Sequence, residues 1–143
     1  MKNIFFIILA LMSFSHLSIA QKTSPVAWDF KLIKINAHEY KFTATATMQP
    51  TWVLYSQFTD PEGPVPTTFT VNGKQIQLKE ESHLMTEMDE MFMVEVKKFK
   101  NTAVFSTVVH KEKNTAIKGD VEYMTCDGLR CLPPTKVPFE LNF

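Results

Sequence analysis

Apolar and polar residues alternate along most of the chain, and this period of two constrains the fold more than any other feature. Trp28, Phe30 and Leu32 occupy every second position, with Asp29 and Lys31 between them. The same spacing recurs in Tyr40, Phe42, Ala44, Ala46 and Met48. Successive side chains of a β-strand point to opposite faces of a sheet, so the pattern predicts strands with one buried face.

Turn signals separate the alternating runs. Asn36-Ala37 lies between the first two runs, and residues 60–66 carry three prolines and one glycine. Asn72-Gly73 is a strong hairpin signal, because both central residues of such a turn need a positive φ angle. Residues 79–89 are polar with scattered methionines and are expected to form a loop or one helical turn. The pattern predicts an all-β fold of roughly eight or nine short strands. An immunoglobulin-like antiparallel β-sandwich is the leading interpretation, and a closed barrel is the alternative.

The first twenty residues have the layout of a secretory signal peptide. A short basic start precedes an apolar run at residues 4–12, and Ser18-Ile19-Ala20 places small residues before Gln21. Residues 1–20 are therefore predicted to be a signal peptide, and residues 21–143 one mature domain; an uncleaved membrane anchor is the alternative. Export predicts a periplasmic protein that is not embedded in a membrane once mature, with its cysteines in an oxidising compartment. Basic and acidic residues balance at 15 each, which gives no indication of nucleic-acid binding.

Both cysteines of the chain lie within residues 123–134. Cys126 and Cys131 have four residues between them, Thr125 ends an alternating run, and Pro133-Pro134 is expected to stop the segment and fix a turn. A dithiol held in a short turn opens and closes with little movement elsewhere, which suits thiol–disulfide exchange. A structural disulfide that staples the turn explains the same spacing, and the residue chemistry leaves both interpretations open.

A third interpretation rests on a group of methionines close to His83. They are Met85, Met88, Met91 and Met93. Thioethers, imidazole and cysteine thiolates are ligands that suit Cu(I), so a copper-binding module that uses three of these methionines (85, 88 and 91) with the two cysteines is one alternative. Methionines are also adaptable packing residues, and this simpler explanation is preferred. The sequence is therefore predicted to bind no metal and no cofactor.

Four motifs occur in a fixed order along the mature chain. Trp52-Val53-Leu54-Tyr55-Ser56 follows Pro50, and Gly63-Pro64-Val65-Pro66-Thr67 follows it in turn. Tyr123-x-x-Cys126 leads to Cys131-x-Pro133-Pro134, and Phe139-x-Leu141 lies near the end. These motifs resemble the early strand, the Gly-Pro-x-Pro-Thr loop, the redox motif and the closing strand of one family. It is the family of N-terminal periplasmic domains of the thiol:disulfide interchange protein DsbD, here in a stand-alone secreted form.

The resemblance implies an immunoglobulin-like sandwich in which Cys126 and Cys131 carry exchangeable electrons. It implies a thioredoxin-like domain or a membrane thiol transporter as the electron donor, and oxidised periplasmic proteins as acceptors, including those of cytochrome c biogenesis. The donor is expected to be another protein, because this sequence shows neither a transmembrane bundle nor a thioredoxin-like domain. Which cysteine is attacked first is left open. The alternative is a non-catalytic secreted binding or adhesion β-sandwich with a structural disulfide.

The same family has a cap loop, in which an acidic pair and an aromatic residue shield the dithiol. Asp89-Glu90-Met91-Phe92 is the nearest match, so Asp89, Glu90 and Phe92 are expected to form a lid. This role is preferred to one in which Asp89 and Glu90 are acid–base catalysts. Tyr123 is expected to pack beside the cysteine pair.

Overall fold

The computed structural model describes residues 24–111 and 116–143. Within these two ranges the chain is all-β, and each strand pairing is antiparallel. The same ranges contain no helix with the length and apolar character needed to cross a membrane. The signal peptide predicted at residues 1–20 lies outside the described residues.

Eleven strands occur in the described ranges, and they form two sheets. In chain order the strands are β1 (Val26–Lys34), β2 (Glu39–Met48), β3 (Val53–Tyr55), β4 (Thr68–Val71), β5 (Lys74–Ile76), β6 (Lys79–Glu80), β7 (Met85–Asp89), β8 (Val94–Lys100), β9 (Thr102–His110), β10 (Ala116–Cys126) and β11 (Cys131–Asn142). The first sheet has the spatial order β1-β2-β9-β6, and the second has the order β5-β4-β10-β3-β8-β7, with β11 also paired to β10. The two sheets form an immunoglobulin-like β-sandwich, which confirms the predicted fold class.

Small residues in β2 make room for large rings in β1. Ala44 pairs with Phe30 and Ala46 pairs with Trp28, and both alanines are fully buried. Directly opposed residues on neighbouring strands share one face of the sheet, so the two rings spread over the alanines. The alternation seen in the sequence is therefore the inward face of the first sheet.

Trp28 lies at the centre of the aromatic core. Its ring centroid lies 5.5 Å from that of Tyr123 and 6.0 Å from those of Phe69 and Phe105. Trp28 and Phe105 belong to the first sheet, whereas Phe69 and Tyr123 belong to the second. These contacts join the two layers, and aromatic pairs at such separations each contribute about 0.5–1.5 kcal/mol beyond the burial of their area.

Both turns predicted from short polar signals are confirmed. Asn72 and Gly73 connect β4 to β5 with φ angles of 49° and 77°. Between β1 and β2, Asn36 Oδ1 accepts hydrogen bonds of 2.9 Å from the backbone N–H groups of His38 and Glu39. In this way an asparagine side chain replaces a backbone acceptor in a turn.

The expectation of a loop or helical turn at residues 79–89 is wrong, because β6 and β7 lie there. β6 pairs with β9 through Lys79 and Glu80, and β7 pairs with β8. Within β7, Thr86, Glu87 and Met88 are all exposed. The strand is therefore held by its backbone ladder, and without a buried face it shows no alternation in the sequence.

The prolines after the second cysteine do not end the segment as expected. Pro133 and Pro134 lie inside β11. Between two successive pairs of the ladder, β11 has these two residues, whereas β10 has only Met124. Proline cannot donate a ladder hydrogen bond, and it is tolerated at bulges and on edge strands for that reason. The proline pair thus marks a bulge beside the cysteine hairpin, and the turn itself is made by residues 127–130.

Candidate functional site

The hairpin between β10 and β11 carries both cysteines. Cys126 is the last residue of β10 and Cys131 is the first residue of β11. The two residues are direct partners in the ladder, their Cα atoms lie 4.1 Å apart, and their sulfur atoms form a disulfide. Opposed residues in a close antiparallel pair direct their side chains to the same face. The two thiols therefore remain neighbours when the bond between them is reduced.

The turn of this hairpin is held by its own hydrogen bonds. Asp127 Oδ1 accepts hydrogen bonds of 2.9 Å from the backbone N–H groups of Leu129 and Arg130, and Gly128 takes a φ angle of 89°. The two hydrogen bonds to the carboxylate lower the pKa of Asp127. The guanidinium of Arg130 lies 5.6 Å from the ring centroid of Trp52, over its face. The turn is thus fixed by contacts other than the disulfide.

The two cysteines differ in their exposure to solvent. Cys126 is 3% exposed and packs in a small apolar cluster with Val53, Tyr55 and Val96. Cys131 is half-buried and lies at the margin of this cluster. Cys131 is therefore the more accessible residue of the disulfide.

Strand β3 fixes the position of Cys126. Thr125 and Cys126 pair with Leu54 and Val53 of this strand. The hydroxyl of Thr125 is buried and donates a hydrogen bond of 2.7 Å to the backbone carbonyl of Val53. A buried hydroxyl with a partner avoids the desolvation cost of about 1–3 kcal/mol that an unpaired one carries. The buried half of the disulfide is therefore attached to a rigid part of the second sheet.

The turn between β7 and β8 folds toward this cluster. Asp89 Oδ1 accepts hydrogen bonds from the backbone N–H groups of Met91, at 2.9 Å, and Phe92, at 3.2 Å. Phe92 is half-buried, packs against the cluster that contains Cys126, and meets Tyr55 edge-on with ring centroids 6.4 Å apart. The acidic residue thus shapes the turn, and the aromatic residue anchors it beside the cysteines.

Met91, in the same turn, contacts the disulfide directly. Its Sδ atom lies 3.5 Å from the Sγ atom of Cys131. Met91 is 47% exposed, so its thioether lies between solvent and the more accessible sulfur of the bridge. From the sequence, Met91 was considered only as a possible copper ligand, and its contact with the disulfide was not predicted.

The expected site residues separate into two groups. Asp89, Glu90 and Phe92 lie in or beside the β7–β8 turn near the cysteines. Tyr123 packs instead in the main core, with its hydroxyl 3.0 Å from Ser24 Oγ. Tyr55 is the tyrosine that packs with Cys126, and it was not among the expected site residues. The signal that could have found it is the Trp52-Val53-Leu54-Tyr55-Ser56 motif, since β3 pairs with the end of β10.

Comparisons with known proteins identify the fold. No protein-family model matches the chain, and no curated protein matches it in sequence. The structure is similar to the N-terminal periplasmic domain of ScsB from Proteus mirabilis, with a TM-score of 0.68 and 13% identity over 85% of this chain. It is also similar to the N-terminal domain of DsbD from Neisseria meningitidis in the reduced form. For that pair the TM-score is 0.57, and 15% of residues are identical over 82% of this chain and 86% of the DsbD domain.

The chain has the fold of the DsbD N-terminal domain. The resemblance expected from the sequence motifs is therefore confirmed at the level of the fold. The chain spans 48% of the ScsB structure, so about half of that structure has a counterpart here.

A cavity of about 350 Å³ lies next to the disulfide of this DsbD-like fold. The residues that line it come from β3 and the residues before it, β7, the β7–β8 turn, β8 and the cysteine hairpin. They are Thr51, Val53, Tyr55, Glu87, Met88, Asp89, Glu90, Met91, Lys98, Lys100, Cys126, Asp127 and Gly128. The cavity gives a shallow recess in which a segment of another protein can approach the bridge.

Acidic groups dominate the wall of this cavity. Glu87 forms an ion pair with Lys98, whose side chain is largely buried. The pKa of the Tyr55 hydroxyl is raised, first by burial and then by the charge of Asp89 and a hydrogen bond to its carboxylate. Tyr55 is therefore neutral and a hydrogen-bond donor over the physiological pH range. Among the described residues, no group of three or more His, Cys, Asp and Glu side chains is arranged to hold a metal ion.

Proposed function

We propose that the chain carries out thiol–disulfide exchange through Cys126 and Cys131. The observation that supports this function best is the unequal burial of the two cysteines in one hairpin. Cys126 is 3% exposed and lines the cavity, whereas Cys131 is half-buried and contacts the exposed Met91. A purely structural bridge has no need of one accessible sulfur. The DsbD-like fold supports the same function, since the neighbour from Neisseria meningitidis has a reduced form.

Electron transfer into the domain begins at Cys131. A thiolate of a reduced partner attacks Cys131 Sγ, the Cys126–Cys131 bond breaks, and Cys126 leaves as a thiolate. A second thiolate of the partner then attacks the partner's first sulfur atom in the mixed disulfide and releases Cys131 as a thiolate. Two electrons pass to the domain, the partner becomes a disulfide, and two protons from solvent complete the thiols.

Electron transfer out of the domain uses the same two residues in the opposite order. The Cys131 thiolate attacks a disulfide of an oxidised protein, and a thiolate of that protein leaves. Cys126 then attacks Cys131 Sγ in the mixed disulfide and restores the bridge. Because the two thiols face each other across one hairpin, this second step needs no movement of the sheet. The buried cysteine is thus the resolving residue in this scheme.

The β7–β8 turn acts as a lid in this proposal. Phe92 anchors it on the cluster around Cys126, and Met91 covers part of Cys131. Asp89 holds the turn through its hydrogen bonds to the two backbone N–H groups. Glu90 contributes negative charge to the cavity wall. A partner has to displace Met91 before its thiolate can reach Cys131, so the lid limits reaction with small oxidants and thiols.

The proposed partners are those that the resemblance to DsbD N-terminal domains implies. A thioredoxin-like domain or a membrane thiol transporter is the proposed donor. Oxidised exported proteins, including those of cytochrome c biogenesis, are the proposed acceptors. In this proposal residues 1–20 direct export as a signal peptide, and residues 21–143 act in the periplasm. Among the described residues, no helix has the length and apolar character needed to cross a membrane.

The reduction potential of the bridge tests the proposal. The mature domain is equilibrated in thiol buffers of graded potential, alkylated and weighed by mass spectrometry. A potential above about −250 mV is expected, because it lies among the potentials of exchangeable bridges. A value below about −300 mV is typical of a structural bridge, and it would favour the non-catalytic binding sandwich instead.

A trapping experiment tests the roles of the two cysteines. Cys126→Ala and Cys131→Ala are each mixed, under mild oxidation, with a thioredoxin that lacks its resolving cysteine. Cys126→Ala is expected to form the mixed disulfide faster, because it keeps the accessible thiol. Equal rates would contradict the assignment of roles, and failure of both variants would contradict exchange with a thioredoxin-like partner.

A further inference from the structure

Three sulfur atoms lie together at the cysteine hairpin, and two of the residues that carry them, Met91 and Cys126, line the cavity. Two are the Sγ atoms of Cys126 and Cys131, and the third is the Sδ atom of Met91, which lies 3.5 Å from Cys131 Sγ. We propose that the reduced chain binds one Cu(I) ion through the thiolates of Cys126 and Cys131 and the thioether of Met91. Cu(I) binding uses the two cysteines of the proposed exchange, but it requires only that both thiols are free and does not require a partner protein.

The ligand set determines the choice of metal. Thiolate and thioether sulfur atoms are soft ligands, and they select Cu(I) over the divalent ions that prefer imidazole, carboxylate or water. No group of three or more His, Cys, Asp and Glu side chains in the described ranges could serve a divalent ion. The thioether is therefore what completes a set of three sulfur ligands here.

The backbone holds the three ligands before a metal arrives. Cys126 and Cys131 are opposed residues of one ladder with Cα atoms 4.1 Å apart, so their reduced thiols project from the same face. Met91 follows Asp89 in a turn that is fixed by the hydrogen bond from the Met91 N–H to Asp89 Oδ1. Binding thus requires side-chain rotation but no rearrangement of strands.

The surroundings favour a cation and leave it a path from solvent. The carboxylates of Glu90 and Asp127 line the same cavity, as does that of Asp89. Of the two lysines there, Lys98 is already paired with Glu87. Met91 is 47% exposed, so an incoming ion or its carrier can reach the thioether first.

The binding step balances without any change in the oxidation state of copper. The disulfide is first reduced by a thiol or phosphine reductant, which supplies two electrons, while solvent supplies two protons. One Cu(I) ion then replaces the two thiol protons, which pass to solvent. The bound thiolates are no longer free to attack a disulfide. Cu(I) binding and thiol–disulfide exchange therefore exclude each other on the same molecule.

Competition for Cu(I) against a coloured chelator tests the site. The mature chain is kept reduced by a phosphine without oxygen and titrated with Cu(I) in the presence of bicinchoninate. We expect one tightly bound ion per chain and protection of both cysteines from alkylation. X-ray absorption is expected to count three sulfur ligands. Replacement of Met91 by leucine should leave two sulfur ligands and weaken binding by about 10- to 100-fold. Losses of that size are typical even when only a residue that hydrogen-bonds to a metal ligand is removed.

Two further variants serve as controls. Met93→Leu makes the same chemical change two residues away, at a side chain that is 76% exposed, and it should leave the affinity unchanged. Replacement of both Cys126 and Cys131 by serine should abolish tight binding. Circular dichroism checks that each variant is folded.

The proposal is overturned if Met91→Leu binds Cu(I) as tightly as the natural chain and with the same number of sulfur ligands. It is also overturned if the double serine variant keeps the ion. Neither result bears on the reduction potential or on trapping with thioredoxin, so a failure here is distinguishable from a failure of the exchange function.

Discussion

Cys126 and Cys131 are direct cross-strand partners that close a hairpin with only residues 127–130 between them. Closing so short a loop removes little entropy from the unfolded chain. In the chain-entropy model the bridge contributes about 2 kcal/mol to the free energy of unfolding. We therefore expect the reduced domain to stay folded, with its free energy of unfolding lower by about 2 kcal/mol.

Urea unfolding of the oxidised and the reduced domain measures this difference. The far-ultraviolet circular dichroism at zero urea should be the same in both forms. Unfolding of the domain on reduction, without urea, would mean that the bridge is essential to the fold. It would also exclude a cycle between two folded redox states.

A second prediction concerns the shielding of Cys131 from solvent by Met91. Their sulfur atoms lie 3.5 Å apart, and truncation of Met91 to alanine removes the thioether from the approach to the disulfide. The rate of reduction by dithiothreitol should increase by about two- to tenfold, because attack on a disulfide depends on access to the sulfur. Met93→Ala is the matched control, and it should react at the rate of the natural chain. Equal rates for the two variants would contradict a shielding role for Met91.

The pH dependence of stability provides a third prediction, at Asp127. Hydrogen bonds from the N–H groups of Leu129 and Arg130 hold the pKa of this carboxyl below its value in the unfolded chain. A lowered pKa in the folded state gives stability that is present above the unfolded pKa, which is about 3.9 for aspartate. That stability is lost as the pH falls through the folded pKa. The hairpin should therefore weaken in acid below about pH 4.

Asp127→Asn isolates this titration. Asparagine keeps an acceptor oxygen for the same turn but cannot be protonated in this range. Urea midpoints of the natural chain should fall more steeply between about pH 5 and pH 2 than those of the variant. The same slope in both proteins would show that Asp127 does not contribute to the acid sensitivity.

The fold could be predicted from the sequence where one face of a strand is buried. Tyr40 to Met48 alternate because every second side chain enters the core. Asn72-Gly73 was recognisable because few residue pairs adopt two positive φ angles in succession. By contrast, β7 shows no alternation, since its backbone pairs while its middle side chains face solvent. The bulge at Pro133 could not be predicted for another reason. A bulge is an extra residue relative to the partner strand, and the sequence alone does not show which residues are paired.

The site could be predicted only in part, because its residues come together through strand pairing. The cysteine hairpin is local in the sequence and was found directly. Tyr123 is near Cys126 in the sequence but belongs to the main core, whereas Tyr55 reaches Cys126 through the pairing of β3 with β10. The contact of Met91 with Cys131 likewise spans 40 residues of sequence, and no local pattern encodes it.

The last prediction concerns Gly119, where β10 passes beneath the ring of Phe139. A Cβ atom at this position would overlap the backbone carbonyl oxygen of Thr70 and lie 2.7 Å from Phe139 Cζ. The carbonyl belongs to β4, which pairs with β10 at this point, so it cannot move without breaking the ladder. Gly119→Ala is expected to lower the free energy of unfolding by about 1–3 kcal/mol, as overpacking does elsewhere. Urea unfolding measures the loss, with exposed Lys118→Ala as a control that should change stability by less than about 0.5 kcal/mol. An alanine variant as stable as the natural chain would mean that β4 and β10 separate at Gly119 more easily than their pairing indicates.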